Sequence, residues 1–437
     1  MQTIIGIRRE DINRQEKRTP LIPSHVGDLI RNHGLMFRVQ PSDIRVFEDA
    51  DYAREGAEVM EDLSPCRVIF GLKEIPPDVF EPGKTYVFFS HTIKGQAGNM
   101  PMLRRMMERG CTLIDYEKIV DDQGRRLLFF GRHAGHAGMI DALWSLGRRL
   151  AWEGLETPFS DIRQASDYAG LTAAREAVAA AGERIRTEGL DERLCPMVFG
   201  FLGYGNVSSG AQEVFDLLPF NEVSPRDLDA MTAKKPCNRF RVAKTVFREE
   251  DMVRRRDGQG DFHLQEYYDK PDLYRPVLES FLHHLTVVVN GIYWSSRFPR
   301  FITREALQEA WRGGRRPRLR VIADITCDVD GAMACTVRST GPDNPIYVFE
   351  PETGTTRDGV AGEGPVVLAV YNLPAELPLE SSIFFSRGLR AFVPAMARAD
   401  MTADWDTCGL PEDVKKGVIL YRGKLTPDFV YLKNHLI

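Results

Sequence analysis

Three short apolar runs end in side chains that can hold or move protons. Lys73 closes VIFGLK (68–73), His91 follows TYVFFS (85–90), and Glu117 follows CTLIDY (111–116). If the runs are parallel strands, their carboxyl ends gather on one edge, where open α/β sheets bind ligands. Cations join them. Arg8, Arg9 and Arg18 lie in IRREDINRQEKRTPL, at and just after the end of the run TIIGIR, and Arg126 opens RLLFF with Arg125 just before it. Histidine titrates nearest neutrality, and a lysine among other cations is pushed toward its neutral amine, so the pair suits acid–base work. Arginine suits a bidentate grip on carboxylates. Any one of these residues alone reads as a solvated charge at a strand end; three strands ending in Lys, His and Glu read as a site.

A second chemistry is written in VFGFLGYGNVSSGAQEVFDLL, 198–218. A buried strand runs into Gly203 and Gly205, and helical spacing starts at Val207. Gly203 permits the tight turn and Gly205 lets a pyrophosphate approach the backbone. The opening amides of the helix, at Asn206, Val207 and Ser208, favour an anion. The usual third small position of G-x-G-x-x-G holds Ser208, with Gly210 two residues later. Glu222, 19 residues after Gly203 near the end of the short run FNEV, stands where an acid would accept adenine-ribose hydroxyls. A solvated loop acid is an equal reading for Glu222 alone.

These residues need a frame. TIIGIR (3–8), FRVQ (37–40), VIFGLK, TYVFFS, CTLIDY and RLLFF (126–130) read as strands, alternating with helices at 22–32 and 96–109. The expected fold class is α/β, with two Rossmann-like domains of parallel sheet and a cleft between them. The long helix in 133–152 is read as bridging the domains or as a core helix. Further strands are expected in 285–294, 319–327, 345–351 and 365–374, with a surface excursion at 248–275. A last helix, about 379–396, precedes GVILYRGKLTPDF, whose apolar run is expected to return to the first domain. The domains are set at 1–137 plus 390–437 for substrate and catalysis, and 138–389 for the dinucleotide.

Composition narrows the classes. The 437 residues carry 57 Lys+Arg against 62 Asp+Glu, a formal charge of −5, which leaves no basic footprint for nucleic acid. No apolar run approaches the roughly 18 residues that span a bilayer. The first residues read as a mature strand and loop, so a cytoplasmic location is expected. The seven cysteines are scattered, odd in number and without C-x-x-C, and are expected to be idle thiols in a reducing compartment. His25, His33, His263, His283, His284 and His435 have no supporting pattern. His133 and His136 stand three apart at a helix start, but without a third ligand no metal site is expected.

The segments GIRREDINRQEKRTPLIPSHV, FGLKE, YVFFSHTIKGQAGNM, LIDYEKIVDDQGRR, FGRHAGHAGMI, GYGNVSSGAQEVF, VNGIYW and NLPAELPLE occur in this order. Together they resemble the lysine–2-oxoglutarate reductase part of α-aminoadipic semialdehyde synthases, which is also a lysine-forming saccharopine dehydrogenase. The wider likeness is to alanine dehydrogenases and the N-terminal folds of transhydrogenases. The resemblance runs from Gly6 to the terminal GKLTPDFVYL. The glutamate-forming half of the fused enzymes has no counterpart, so a stand-alone reductase is expected.

The resemblance implies roles residue by residue. Lys73 and His91 look like the acid–base pair, Arg18 and Arg126 like the arginines that hold substrate carboxylates, and Glu74 and Glu117 like acids near the reacting centre. Gly203, Gly205, Asn206, Val207 and Ser208 would take the cofactor pyrophosphate. On the phosphate of that cofactor the signs conflict. Glu222 speaks for NADH, while the closer likeness to fused reductases and the nearby Arg226 speak for NADPH, which is the expectation. The partners implied are lysine and 2-oxoglutarate, with a homo-oligomer possible. Two other readings stay open at this point: a relative that handles a different amine or amino acid, and a catalytically silent NAD(P)H-binding regulator.

Overall fold

The computed structural model describes residues 3–312 and 317–436. The chain divides into two compact units, one running to Phe130 and resuming at Pro378, the other Gly131–Leu377. The junctions fall at 130/131 and 377/378, earlier than the expected 137/138 and 389/390. Two helices move them. The helix Gly131–Trp152 lies wholly in the second unit, and Pro378–Leu389 sends Phe385 and Leu389 into the core of the first.

The first unit opens with β1 (Ile4–Ile7), whose isoleucines fit a buried, pleated surface. Helix α1 (Pro23–His33) starts on a proline, which needs no amide partner there, and stops at Gly34 in the left-handed region (φ 64°). β2 (Met36–Val39), α2 (Asp49–Arg54), β3 (Glu58–Val59), β4 (Val68–Phe70), β5 (Thr85–Phe88), α3 (Met100–Glu108) and β6 (Thr112–Asp115) follow. α3 buries Met102, Leu103 and Met106 as one stripe. The parallel strands stand in the order β6-β5-β4-β1-β2-β3. The order reverses between β1 and β4, and that switch point is where such sheets take ligands. RLLFF forms no strand. It is held by a single bridge from Arg126 to Val120, while Leu128 and Phe130 pack on the core.

The second unit begins with α4 (Gly131–Trp152), buried on nearly every face, so its sequence shows little of a one-sided stripe. α5 (Leu171–Glu188) leads to β7 (Val198–Leu202), α6 (Asn206–Phe215), β8 (Phe220–Glu222) and β9 (Val242–Phe247). The expected surface excursion at 248–275 contains a small antiparallel pair, β10 (Val253–Arg255) and β11 (Tyr274–Pro276). Then come β12 (Val287–Asn290), β13 (Val321–Asp324), β14 (Ile346–Phe349), β15 (Thr356–Asp358) and β16 (Val366–Leu368). This sheet runs β15-β14-β16-β13-β12-β7-β9-β8, parallel except where β14 meets β15 and β16. Its switch point lies between β7 and β12.

Two features of this unit were not anticipated. Cys195 and Cys237 form a disulfide, Cα–Cα 6.0 Å, which corrects the expectation that all seven thiols are idle. Forty-two residues separate the two, so no local spacing marks the bond. Asp141 on α4 and Glu376 are both buried, and Asp141 accepts the Ala165 amide at 2.7 Å while neither Glu376 carboxyl oxygen meets a donor among the described residues. Burial lifts both, Asp141 to about 6 and Glu376 well above the usual range, where the charge of Asp141 adds to it.

The chain then returns to the first unit, where β17 (Val418–Tyr421) pairs antiparallel with β6 and with β18 (Lys424–Leu425). The eight-stranded α/β sheet is thereby completed, as the fold expectation required.

Candidate active site

The switch point of the first sheet collects the proton-active residues. Arg8 and Glu10 follow β1, and Lys73 and Glu74 follow β4. The buried Glu10 accepts the backbone amides of Leu72 (2.8 Å) and Lys73 (3.0 Å), so it ties the two strand ends together. Burial raises its carboxyl to about 7, against the opposing charge of Arg8. Arg8 is itself buried. Its Nη2 donates to Asp11 at 2.7 Å, while Nε and Nη1 meet no acceptor among the described residues.

Lys73 has no hydrogen-bond or ion-pair partner on its amine among the described residues. Its pKa is lowered, first by burial and then by the positive charge of Arg18. Beside it, Glu74 Oε1 meets His91 Nδ1 at 2.6 Å. Burial works to raise the Glu74 carboxyl, but the hydrogen bond and charge of His91 hold it below its usual value. His91 follows β5 in the left-handed region, φ 46°, uncommon for a residue with a side chain. Asn99 Nδ2 donates to the His91 carbonyl at 3.1 Å and supports that turn. Such backbone costs of order 1–3 kcal/mol and persists only where its surroundings fix it.

The two arginines expected to grip carboxylates differ. Arg18 is 3% exposed and lies 4.4 Å over the Phe130 ring. It makes a two-pronged ion pair with the buried Glu16, Nε to Oε1 at 2.7 Å. The pair ties Arg18 to Glu16, and its charge acts on Lys73. Arg126 is 48% exposed and pairs with Glu117, so Glu117 is a partner of that arginine and not a lone acid. Asp115, at the end of β6, is buried and accepts the Ser90 amide (2.9 Å) and the Glu117 amide (2.8 Å), which aligns the ends of β5 and β6. Glu10, Glu16 and Asp115 escaped sequence reasoning. For Glu10 and Glu16 the signal was the density of acids and arginines in REDINRQEKR; Asp115 had none beyond its place near the end of CTLIDY.

In the second unit, Gly203 turns the chain with φ 82° and donates its amide to Phe247 at 3.0 Å. A Cβ on Gly205 would meet open space, the room a pyrophosphate needs beside the first amides of α6 at Asn206, Val207 and Ser208. A dinucleotide fits these residues. Ser208 is buried and accepts from Gln212 Nε2 at 3.0 Å. The close-packing role falls to other glycines. A Cβ on Gly210 would lie 2.0 Å from the Arg132 carbonyl oxygen, and one on Gly135 would lie 2.0 Å from that of Val207. α4 and α6 therefore cross backbone against backbone. Across the switch point, a Cβ on Gly291 would stand 3.0 Å from the Ser208 amide.

Glu222 is placed differently from the expectation. β8 lies outside β9, which alone neighbours β7 on that side. Glu222 pairs with Lys244, three residues short of Phe247, and is exposed. At about 3.3 Å per residue and 4.8 Å per strand, it stands roughly 10 Å back from the edge and two strands from the glycine turn. A sheet order that departs from chain order is the cause. His136 Nε2 contacts Glu213 at 2.8 Å, and burial lowers its pKa.

Residues 6–137 match the family described as alanine dehydrogenase/PNT, N-terminal domain. An alpha-aminoadipic semialdehyde synthase of Arabidopsis thaliana is 38% identical over 98% of this chain and 41% of its own length. The mitochondrial synthase of Bos taurus is 34% identical over 99% of the chain and 48% of its length. The chain thus spans less than half of these relatives. A saccharopine dehydrogenase [NAD(+), L-lysine-forming] of Neurospora crassa is 27% identical over 94% of the chain and 98% of its length. These likenesses bear out the resemblance seen in the motifs. Among solved structures, an L-alanine dehydrogenase superposes with TM-score 0.64 at 17% identity, covering 100% of both chains. A transhydrogenase from Sinorhizobium meliloti gives 0.55 at 14%, covering 97% of this chain and 100% of its own. They share the α/β, Rossmann-like fold.

Proposed function

We propose that this chain condenses L-lysine with 2-oxoglutarate and reduces the resulting imine with a nicotinamide dinucleotide to give saccharopine. The observation that carries the reading is the group at the switch point of the first sheet. A half-buried lysine with a lowered pKa stands beside a Glu74–His91 pair, in a chain similar to lysine-forming saccharopine dehydrogenases.

The chemistry sets three demands. The ε-amine of lysine must be neutral to attack the ketone, the carbinolamine must lose water, and the iminium must accept hydride. Lys73, favoured toward its neutral amine by burial and Arg18, accepts the proton from the incoming ammonium. His91, with Nδ1 on Glu74, presents Nε2 to deliver a proton to the departing hydroxyl. Glu74 fixes that ring orientation. Arg126, half exposed and paired with Glu117, would exchange that partner for a substrate carboxylate. Gly203, Gly205 and the opening amides of α6 would hold the cofactor pyrophosphate. The bound dinucleotide supplies the hydride.

NADPH is the expected cofactor and the cytoplasm the expected location. The test is consumption of NADPH and of NADH by the purified protein with L-lysine and 2-oxoglutarate, each omitted in turn. Oxidation that requires both substrates and yields saccharopine by mass supports the reading. Cofactor binding without turnover on this pair would refute the choice of amine.

A further inference from the structure

We propose that Arg248 reads the 2′ position of the cofactor's adenosine and makes this chain prefer NADPH; this rests on the cofactor site proposed above. In a glycine-turn fold the adenine ribose lies at the end of the strand beside the turn, and the side chain there decides the phosphate. Here that strand is β9, although β8 comes first in the chain. Leu202 pairs with Phe247, and the Gly203 amide bonds to the Phe247 carbonyl at 3.0 Å. Arg248 is the next residue.

Its side chain faces the turn. The guanidinium carbon lies 4.7 Å from the ring centroid of Tyr204, the residue between the two glycines. Both side chains are exposed, so a ligand seated on the turn reaches them. No carboxylate holds the Arg248 guanidinium among the described residues. The neighbouring acids have other tasks. Asp251 accepts the Arg248 backbone amide at 3.0 Å, and Glu249 accepts the Tyr268 hydroxyl at 2.8 Å. A planar, permanently charged fork stacked on an aromatic ring and left without an anion suits a phosphate monoester better than a ribose hydroxyl. Glu222, set back from the edge by two strands, is out of position to repel that phosphate. Arg226 lies in the short turn Pro225–Asp227, and its charge acts on Asp251.

The test is equilibrium titration of the full chain, wild type and Arg248→Gln, with NADPH, NADH, 2′,5′-ADP and 5′-AMP. Nicotinamide fluorescence and calorimetry read the affinities, without turnover. Wild type should favour the two 2′-phosphorylated ligands. Arg248→Gln should weaken them about 10- to 100-fold, the usual loss for charge-assisted hydrogen bonds, and leave NADH and 5′-AMP nearly unchanged. Arg226→Gln should leave the preference intact. A wild-type preference for NADH would overturn the assignment. So would an NADPH-to-NADH ratio that survives Arg248→Gln, or one that collapses in Arg226→Gln. If wild type binds none of the four ligands, the cofactor site itself is misread, and the assignment falls with it.

Discussion

Two glycines seven residues or fewer from the same turn should fail in opposite ways. At Gly210 an added Cβ would sit 2.0 Å from the Arg132 carbonyl oxygen, whereas real Cβ atoms keep at least about 3 Å from such atoms. Both sides are helix backbone, so neither can swing aside, and α4 and α6 must part by roughly 1 Å. Forced separation of packed elements typically costs about 1–3 kcal/mol, and more where backbone meets backbone. Gly205→Ala meets no atom within 4 Å, and its φ of −75° is ordinary for any residue. Its stability should stay within about 1 kcal/mol of wild type, since a stiffer unfolded chain offsets the poorer helix cap. Its Cβ instead fills the space meant for the pyrophosphate. Urea unfolding and NADPH titration on the two variants separate the effects. Gly210→Ala should lower the unfolding midpoint, while Gly205→Ala should unfold as wild type and bind cofactor at least tenfold more weakly, about 1.4 kcal/mol. Equal stability of Gly210→Ala and wild type would refute the backbone crossing, and undiminished cofactor binding by Gly205→Ala would refute the cradle.

Replacing His91 by Ala or Lys73 by Met should lower kcat by about 10²- to 10⁴-fold while NADPH still binds in a titration; full turnover in His91→Ala would overturn the acid–base assignment. Arg18→Met should destabilise the first unit by about 3–5 kcal/mol, because it removes the two-pronged cation from the buried Glu16, and adding Glu16→Gln should recover much of that loss on thermal unfolding. If Arg18→Met melts like wild type and only raises KM for 2-oxoglutarate, it is a substrate arginine after all. The Asp141–Glu376 pair sets a pH dependence. Its folded-state values lie above the ordinary 3.8 and 4.5, so the folded form holds protons more tightly. That stabilisation is complete below pH about 4 and is lost as pH rises through about 6 and beyond. Glu376→Gln removes the second buried charge beside Asp141, and should raise stability at pH 8 by roughly 1–3 kcal/mol relative to pH 5, read by denaturant titration at both values. A wild-type curve flat over that range would sink the argument.

What could be read from the chain alone was what is local. Lys73, His91, Gly203 and Gly205 sit at ends of apolar runs that are strands in the structure, because a run of β-branched residues ending in a polar group or glycine carries its own punctuation. Partnerships across distance were not legible. Glu10 bonds to amides more than 60 residues on, Asp141 meets Glu376, and Cys195 meets Cys237. No periodicity records such pairs. Glu222 was placed by counting residues from the glycine turn, which works only when consecutive strands are neighbours. β9 stands between β7 and β8, so the count arrived at the wrong strand and passed over Arg248. Gly210, by contrast, was noticed as out of pattern, and the close crossing of α4 explains it.

The late arrival of β17 bears on how the molecule comes into being. β6 is made early, but its antiparallel neighbour Val418–Tyr421 is synthesised about 300 residues afterwards. Closing a flexible loop of that length costs about 5 kcal/mol in chain entropy. Until it closes, β6 presents a bare hydrogen-bonding edge of the kind that recruits other chains. The inserted unit, Gly131–Leu377, has cores of its own and emerges from the ribosome complete before β17 does. Once it has folded, only the flanking segments remain to be ordered. The last step of folding is then the docking of a short C-terminal strand onto a waiting edge, and destabilising the inserted unit lengthens the time that edge is exposed to aggregation.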